Sequence, residues 1–184
     1  MTRISPVTAA NTPAASAPLL AAVKSKLGIV PGMMATWAHA PAALKAYLAM
    51  AEALGSGELS GGERELVALA AAEANQCEYC LAAHHVLGKG AGLSDASIAA
   101  ARDGHGTTPR EQAIAVLARQ IVQQRGLISD AEFAAAREVL GDAGVLEVIG
   151  SVALNIYTNY TNHIAQTVVD FPKVALRAPL KLAA

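Results

Sequence analysis

The sequence predicts an all-α helical bundle, and three observations carry that expectation. The 184 residues are 53% hydrophobic but only 4% aromatic, with alanine supplying much of the apolar share, a composition that favours helix over sheet. Helix-start signals recur along the chain, with glycine stop signals between them. No stretch of useful length shows the period-two alternation of a half-buried strand.

The elements follow in order. Residues 1–15 are rich in Ala, Ser, Thr and Pro and are expected to form a flexible N-terminal arm. A single all-helical domain is expected over 16–184. Its first helix, near 16–27, ends in Lys24 and Lys26, and a short turn of helix is expected at 32–38. A helix at 41–54 stops at Gly55. The next, at 61–75, opens on the capping-box pair Ser60 and Glu63 and carries Leu66, Leu69 and Ala70 at helical spacing. A helix at 78–88 ends in a glycine-rich "GKGAG" (88–92), which follows a helix and lacks phosphate-loop order. Ser94 caps a helix at 95–103. Thr108, Glu111 and Pro109 open one at 109–125, with Ile114, Leu117, Ala118 and Ile121 on one face. Ser129 and Glu132 open 130–140, Gly141 stops it, and a last long helix is expected over 144–168.

"LSDASIAAAR" (93–102) and "ISDAEFAAAR" (128–137) differ only at their first, fifth and sixth positions. They are either a reused capped helix or the trace of a helical-hairpin duplication, and two copies are too few for a solenoid. Trp37, His39 and the Met33–Met34 pair read as packing or interface residues of an N-terminal segment.

Several function classes fall away on composition. A net charge of −1 with scattered signs implies no basic face for nucleic acid or anionic lipid. Apolar stretches are broken by Lys24, Glu73 or Asn155, so no membrane span is expected. Two cysteines make no disulfide scaffold, and a reducing cytoplasm is the expected compartment.

The chemistry concentrates in "NQCEYCLAAHH" (75–85). On a helix, Cys77 and Cys80 are i,i+3 neighbours and Cys80 and His84 are i,i+4 neighbours, so all three share a face. His85 is turned about 100° away. Cys77 falls at the N-cap, where free amides and the dipole favour a thiolate. A C-x-x-C pair at a helix start can also close into a disulfide, a two-electron switch. His84 is placed as a base for Cys80, and Glu65 or Glu73 could orient it. Glu73 could instead cap the next helix, and Glu63 is spent on Ser60. Two other readings stand beside this one. The cysteines could be core residues. Alternatively, Cys77, Cys80 and His84 could be three ligands of a zinc site, though no second C-x-x-C closes the shell. On the last helix, Asn155, Asn159, Asn162 and His163 form a polar stripe. It is either a solvated or intersubunit face, or a wall from which Asn159 or His163 lines the cysteine pocket.

Glu65, Cys77, Cys80 and His84 together spell E-x(11)-C-x-x-C-x(3)-H. This pattern, with "GERELVALAAAEANQCEYCLAAH" (62–84) and "NHIAQTVVDFP" (162–172), resembles the AhpD-like alkylhydroperoxidase branch of the carboxymuconolactone decarboxylase superfamily over roughly residues 40–172. The resemblance implies an AhpD-like subunit that assembles into trimers or hexamers and reduces hydroperoxides without metal or cofactor. It implies a peroxidatic Cys80, a resolving Cys77 nearer the surface, and a Glu65–His84 proton relay. A lipoyl or thioredoxin-like dithiol protein would be the electron donor. Tyr79 stands where the characterised alkylhydroperoxidases carry histidine, and a phenol titrates near pH ~10. The decarboxylase branch generally lacks the cysteine pair, which makes lactone decarboxylation the weaker expectation. A non-catalytic helical module with structural or redox-sensing cysteines is the alternative from another class.

Overall fold

In a computed structural model, the described residues 2–177 form eight helices and no strand. In chain order they are α1 (Ala17–Leu27), α2 (Gly32–Trp37), α3 (Pro41–Gly55), α4 (Gly61–Ala74), α5 (Glu78–Gly90), α6 (Asp95–Arg102), α7 (Pro109–Gln124) and α8 (Asp130–Ala165). The start signals act as local chemistry dictates. Ser60 and Glu63 close a reciprocal capping box on α4, and Ser129 and Glu132 close one on α8. Thr108 accepts from the Glu111 amide, but the Glu111 carboxylate turns to the Thr107 amide and hydroxyl instead of closing the box. Thr107 offers it two donors where the cap offers one.

The two expected helices at 130–140 and 144–168 are one. Gly141 is a kink inside α8 (φ 69°, ψ 176°), after which the helix resumes. Leu140, Val145, Val148 and Val152 are buried on both sides of the kink, so packing carries the chain past the stop signal. The duplicated decapeptides therefore end differently: α6 stops at Arg102, while the Ser129-capped copy runs on through Gly141.

α4 is the central element and packs against α5, α6, α7 and α8. Its Leu66, Val67 and Leu69 are fully buried, with Leu81 of α5, Ile98 of α6, Ile114 and Leu117 of α7, and Val148 and Val152 of α8. Each such side chain contributes about 1.5–3 kcal/mol by leaving water. The run Ala70–Ala71–Ala72, also buried, adds little bulk and lets the neighbouring helices approach.

The expected N-terminal arm lies across the domain. Arg3 and Ile4 amides donate to Ala165 O (2.9 and 3.3 Å), the Val7 amide donates to Ala35 O (3.1 Å), and Val7 is buried. The Ser16 hydroxyl donates to Ala38 O at 2.7 Å, and His39 Nε2 meets Ser5 O at 2.9 Å. The tail after α8 is tied down too. The Gly32 amide donates to Asp170 (2.6 Å), the Arg102 guanidinium donates to Ala175 O (2.7 Å), and the Arg177 amide donates to Glu73 (2.6 Å). Glu73 does not cap α5. It is buried and paired with Arg102 at 2.7 Å, the compensation that a buried carboxylate requires.

α8 is by length and composition apolar enough to cross a membrane, contrary to the expectation from the broken runs. Its inner face packs on α3, α4, α5 and α7 and buries Ser151, Asn155, Thr158, Asn159 and Asn162, as a core helix does. Its outer face leaves Leu146, Ile149, Tyr160 and Ile164 exposed.

Candidate functional site

α4 ends in a Schellman turn whose left-handed residue is Gln76 (φ 56°), with Cys77 N–H donating to Ala72 O and Gln76 N–H to Glu73 O. Cys77 is at once the last residue of that turn and the N-cap of α5, its sulfur accepting from the Cys80 amide at 3.3 Å. The reversal takes three residues, Asn75, Gln76 and Cys77, so α5 runs back along α4 and brings His84 against Glu65, nineteen positions earlier in the chain.

Cys77 and Cys80 are joined as a disulfide, with Cα atoms 5.3 Å apart. The expectation that Cys77 lies nearer the surface does not hold: it is 1% exposed and Cys80 2%. The double role of Cys77 in two helix ends draws it into the core. Cys80, and not Cys77, lines a cavity of about 290 Å³. The walls are apolar: Leu27, Ile29, Met33 and Met34 from the α1–α2 region, Val86 and Leu87 from α5, Phe171 from the tail. The polar groups are few: Cys80, His84, Thr158 and the phenols of Tyr47 and Tyr79.

His84 Nδ1 lies 2.8 Å from Glu65 Oε2, and both side chains are about four-fifths covered. An ionised carboxylate only accepts, so Nδ1 carries the proton of this bond, and in the neutral imidazole it is Nε2 that offers a lone pair. Sequence spacing had placed Glu65 and Glu73 as rival orienting groups. The structure brings Glu65 to His84 and turns Glu73 away to Arg102. Tyr47 of α3 faces the same cavity and had no signal in the sequence. Burial, and then the Glu65 charge, push its phenol up to about 12.

Tyr79 lies in the wall as a clamp. Its oxygen accepts from the Met33 amide at 3.2 Å, and its ring meets Phe171 edge-on at 5.7 Å. Burial first, and then the nearby Asp170 carboxylate, hold its phenol far above the usual range. It ties α5 to α2 and to the tail.

The polar stripe of α8 reaches the sulfur through Asn162 and not through Asn159 or His163, and Thr158, outside the expected stripe, joins it. Asn162 Nδ2 lies 3.3 Å from Cys80 Sγ, and Thr158 Oγ1 lies 3.9 Å from it. Asn159 is fully buried but accepts from Asn75 Nδ2 at 2.8 Å. His163 is exposed, with Nε2 at 3.3 Å from Gln76 O, outside the cavity. Both sit behind the Cys77 turn. Asn162 was legible as a member of the stripe, whereas Thr158, its i−4 neighbour, was not read from the sequence. Among the described residues, no group of three His, Cys, Asp or Glu side chains is placed to hold a metal ion. Of the three ligands of the zinc reading, two are joined as a disulfide and His84 is bonded to Glu65.

Residues 41–122 match the Carboxymuconolactone decarboxylase family. No curated protein matches the chain in sequence. Among solved structures, the chain is similar to an alkylhydroperoxidase AhpD core, a peroxidase-related protein from Ralstonia eutropha JMP134, at 25% identity over 91% of this chain and 93% of that one, with a TM-score of 0.79. A peroxidase-related protein from Silicibacter sp. TM1040 has 21% identity, 91% coverage of each chain and the same TM-score of 0.79. The debrominase Bmp8, solved as an alanine variant with 2,3,4-tribromopyrrole, is similar at 14% identity over 92% of each chain, again with a TM-score of 0.79.

Proposed function

Since the chain carries a carboxymuconolactone decarboxylase-family segment over residues 41–122 on an AhpD-like all-helical fold, we propose that it is a thiol-dependent oxidoreductase that reduces organic hydroperoxides through Cys80 and Cys77. The observation that carries the reading is one shared cavity: the disulfide-forming Cys80 and the Glu65-bound His84 both line it, and its other walls are mostly apolar.

The reaction starts from the reduced pair. His84 takes the Cys80 thiol proton on Nε2, and Glu65 stabilises the imidazolium that forms. The thiolate attacks the terminal oxygen of the hydroperoxide. The S–O bond forms, the O–O bond breaks, and its electron pair leaves on the alkoxide, which takes the proton from His84 and departs as the alcohol. The Cys77 sulfur then attacks the Cys80 sulfenic acid, forms the disulfide and releases water. Two electrons from a dithiol return the pair to the reduced state.

With Cys77 covered and Cys80 lining the cavity, the geometry favours a slender donor such as a lipoyl arm, able to enter the cavity and reach the Cys80 sulfur, over the flat face of a thioredoxin-like protein. The exposed apolar stripe of α8 (Leu146, Ile149, Tyr160, Ile164) supports a homo-oligomer.

The test is consumption of an alkyl hydroperoxide by the reduced protein with a dithiol donor. Cys80→Ser is expected to abolish it, while Cys77→Ser leaves Cys80 carrying one added oxygen in the intact mass. Equal consumption by wild type and Cys80→Ser would end the proposal. A halogenated pyrrole in parallel separates peroxide reduction from the dehalogenation named for one similar structure.

A further inference from the structure

The sulfur of Cys80 sits between two side chains of α8 that treat its protonation in opposite ways. Asn162 points its amide nitrogen at two sulfurs, Cys80 Sγ at 3.3 Å and Met33 Sδ at 3.1 Å. A primary amide nitrogen only donates. Thr158 is the reverse. Its hydroxyl proton is spent on Asn155 O at 2.8 Å, so the oxygen facing Cys80 at 3.9 Å can only accept.

The Asn162 orientation follows from its surroundings. Turning the amide over would set its oxygen against sulfur lone pairs and strand both N–H groups. As it stands, Asn162 is 4% exposed and its Oδ1 is buried without any partner. Such an orphan is costly, and native proteins seldom keep one without a reason. In the disulfide, both N–H groups meet neutral sulfurs, which are weak acceptors. In the reduced state, one of them would meet a thiolate, a strong one.

We propose that Asn162 stabilises the Cys80 thiolate by donating to it, and that Thr158 favours the protonated thiol. Together they set the thiolate fraction of Cys80 and the reduction potential of the Cys77–Cys80 pair. Stabilising the thiolate favours the reduced pair, so Asn162 makes the disulfide more oxidising. The other titratable groups on this cavity are Tyr47 from α3 and Tyr79 and His84 from α5, with Glu65 of α4 behind His84 and Asp170 of the tail behind Tyr79. α2 presents Met33 and Met34 there and α8 presents Thr158, none of them charged. The inference rests on the redox reading of the pair but not on peroxide as its oxidant.

The test reads the thiol directly. Fully reduced full-length protein is alkylated with iodoacetamide across a pH series, and modification of Cys80 is followed by peptide mass spectrometry. Asn162→Leu is expected to raise the midpoint by about one to two pH units, the worth of one charge-assisted hydrogen bond. Asn162→Asp, which replaces the donor by a negative acceptor, should raise it further. Thr158→Val should lower the midpoint, and an unchanged one would remove Thr158 from the proposal. In dithiothreitol redox buffers, Asn162→Leu should make the potential more negative by about 30 mV for each tenfold loss of thiolate stabilisation. Asn162→Ala serves if leucine disturbs Met33, with helix content and melting temperature as folding controls. A midpoint in Asn162→Leu or Asn162→Ala equal to wild type overturns the proposal. So does an equal rise in Thr158→Val, which would mean that loosened packing alone moves it. If peroxide turnover is absent while these midpoints shift as stated, the proposed function fails and this inference stands.

Discussion

Replacing Tyr79 by phenylalanine separates a clamp from a proton relay. The substitution keeps the ring against Phe171 and the wall of the cavity but removes the oxygen that accepts from the Met33 amide at 3.2 Å. Met33 is 7% exposed, so its amide is left without a partner and without easy access to water. An orphaned buried donor costs about 1–3 kcal/mol. For a chain of this length each kcal/mol lowers the melting temperature by about 2–4 °C, so calorimetry should find Tyr79→Phe melting about 2–12 °C below wild type. Burial already holds this phenol well above the usual range, so it remains protonated throughout pH 6–9 and passes no proton there. Hydroperoxide turnover by Tyr79→Phe below its melting range is therefore expected to stay within a few-fold of wild type, with the same pH profile. An unchanged melting temperature combined with a hundredfold loss of turnover, or a lost limb of the pH profile, would refute this reasoning and return Tyr79 to the chemistry.

Two further predictions concern the frame that holds the site. Gly141 has φ 69° and ψ 176°, a region that is essentially closed to residues with a Cβ, and a Cβ there would meet nothing within 4 Å. Gly141→Ala is thus expected to cost about 1–3 kcal/mol from backbone strain alone. Gly55→Ala, at the open end of α3 without a positive φ, should be neutral or slightly stabilising in the same denaturation series. Glu147 accepts from the Glu58 and Leu59 amides at 2.7 and 2.9 Å, and these bonds hold its carboxyl below the usual range. The unfolded chain then takes up this proton first on acidification. The contribution is complete above the unfolded value of about 4.3 and is lost as pH falls through the folded one. Melting curves from pH 7 to 3 should therefore fall less steeply for Glu147→Gln than for wild type, from a starting point lower by ~1 kcal/mol or less. Parallel curves would show that the two amide bonds contribute nothing.

What was legible in the sequence is what short-range geometry decides. Ser60 with Glu63 and Ser129 with Glu132 announced their helix starts because each cap closes within one turn. Cys77, Cys80 and His84 could be set on one face because i,i+3 and i,i+4 spacing leaves no choice once the helix exists. Glu65 was within reach because a three-residue reversal forces α5 back along α4. The misses share another cause, namely the rotation and continuation of one helix against the rest. Nothing near Gly141 says that Val145, Val148 and Val152 will hold α8 to the core beyond the kink. Asn155, Asn159, Asn162 and His163 span too wide an arc for spacing to say which member meets the sulfur. The rotation that buries the α8 valines turns Thr158 and Asn162 toward Cys80 and leaves Asn159 with Asn75 and His163 at the surface. Tyr79 was ambiguous for the same reason. Its position beside Cys80 is local, but its role depends on the Met33 amide, 46 residues earlier, and on Asp170 and Phe171 of the tail. Cys77, Cys80 and His84 were thus readable from about two helical turns, whereas the groups that surround them come also from α2, α3, α8 and the tail, and only the packed chain brings these together.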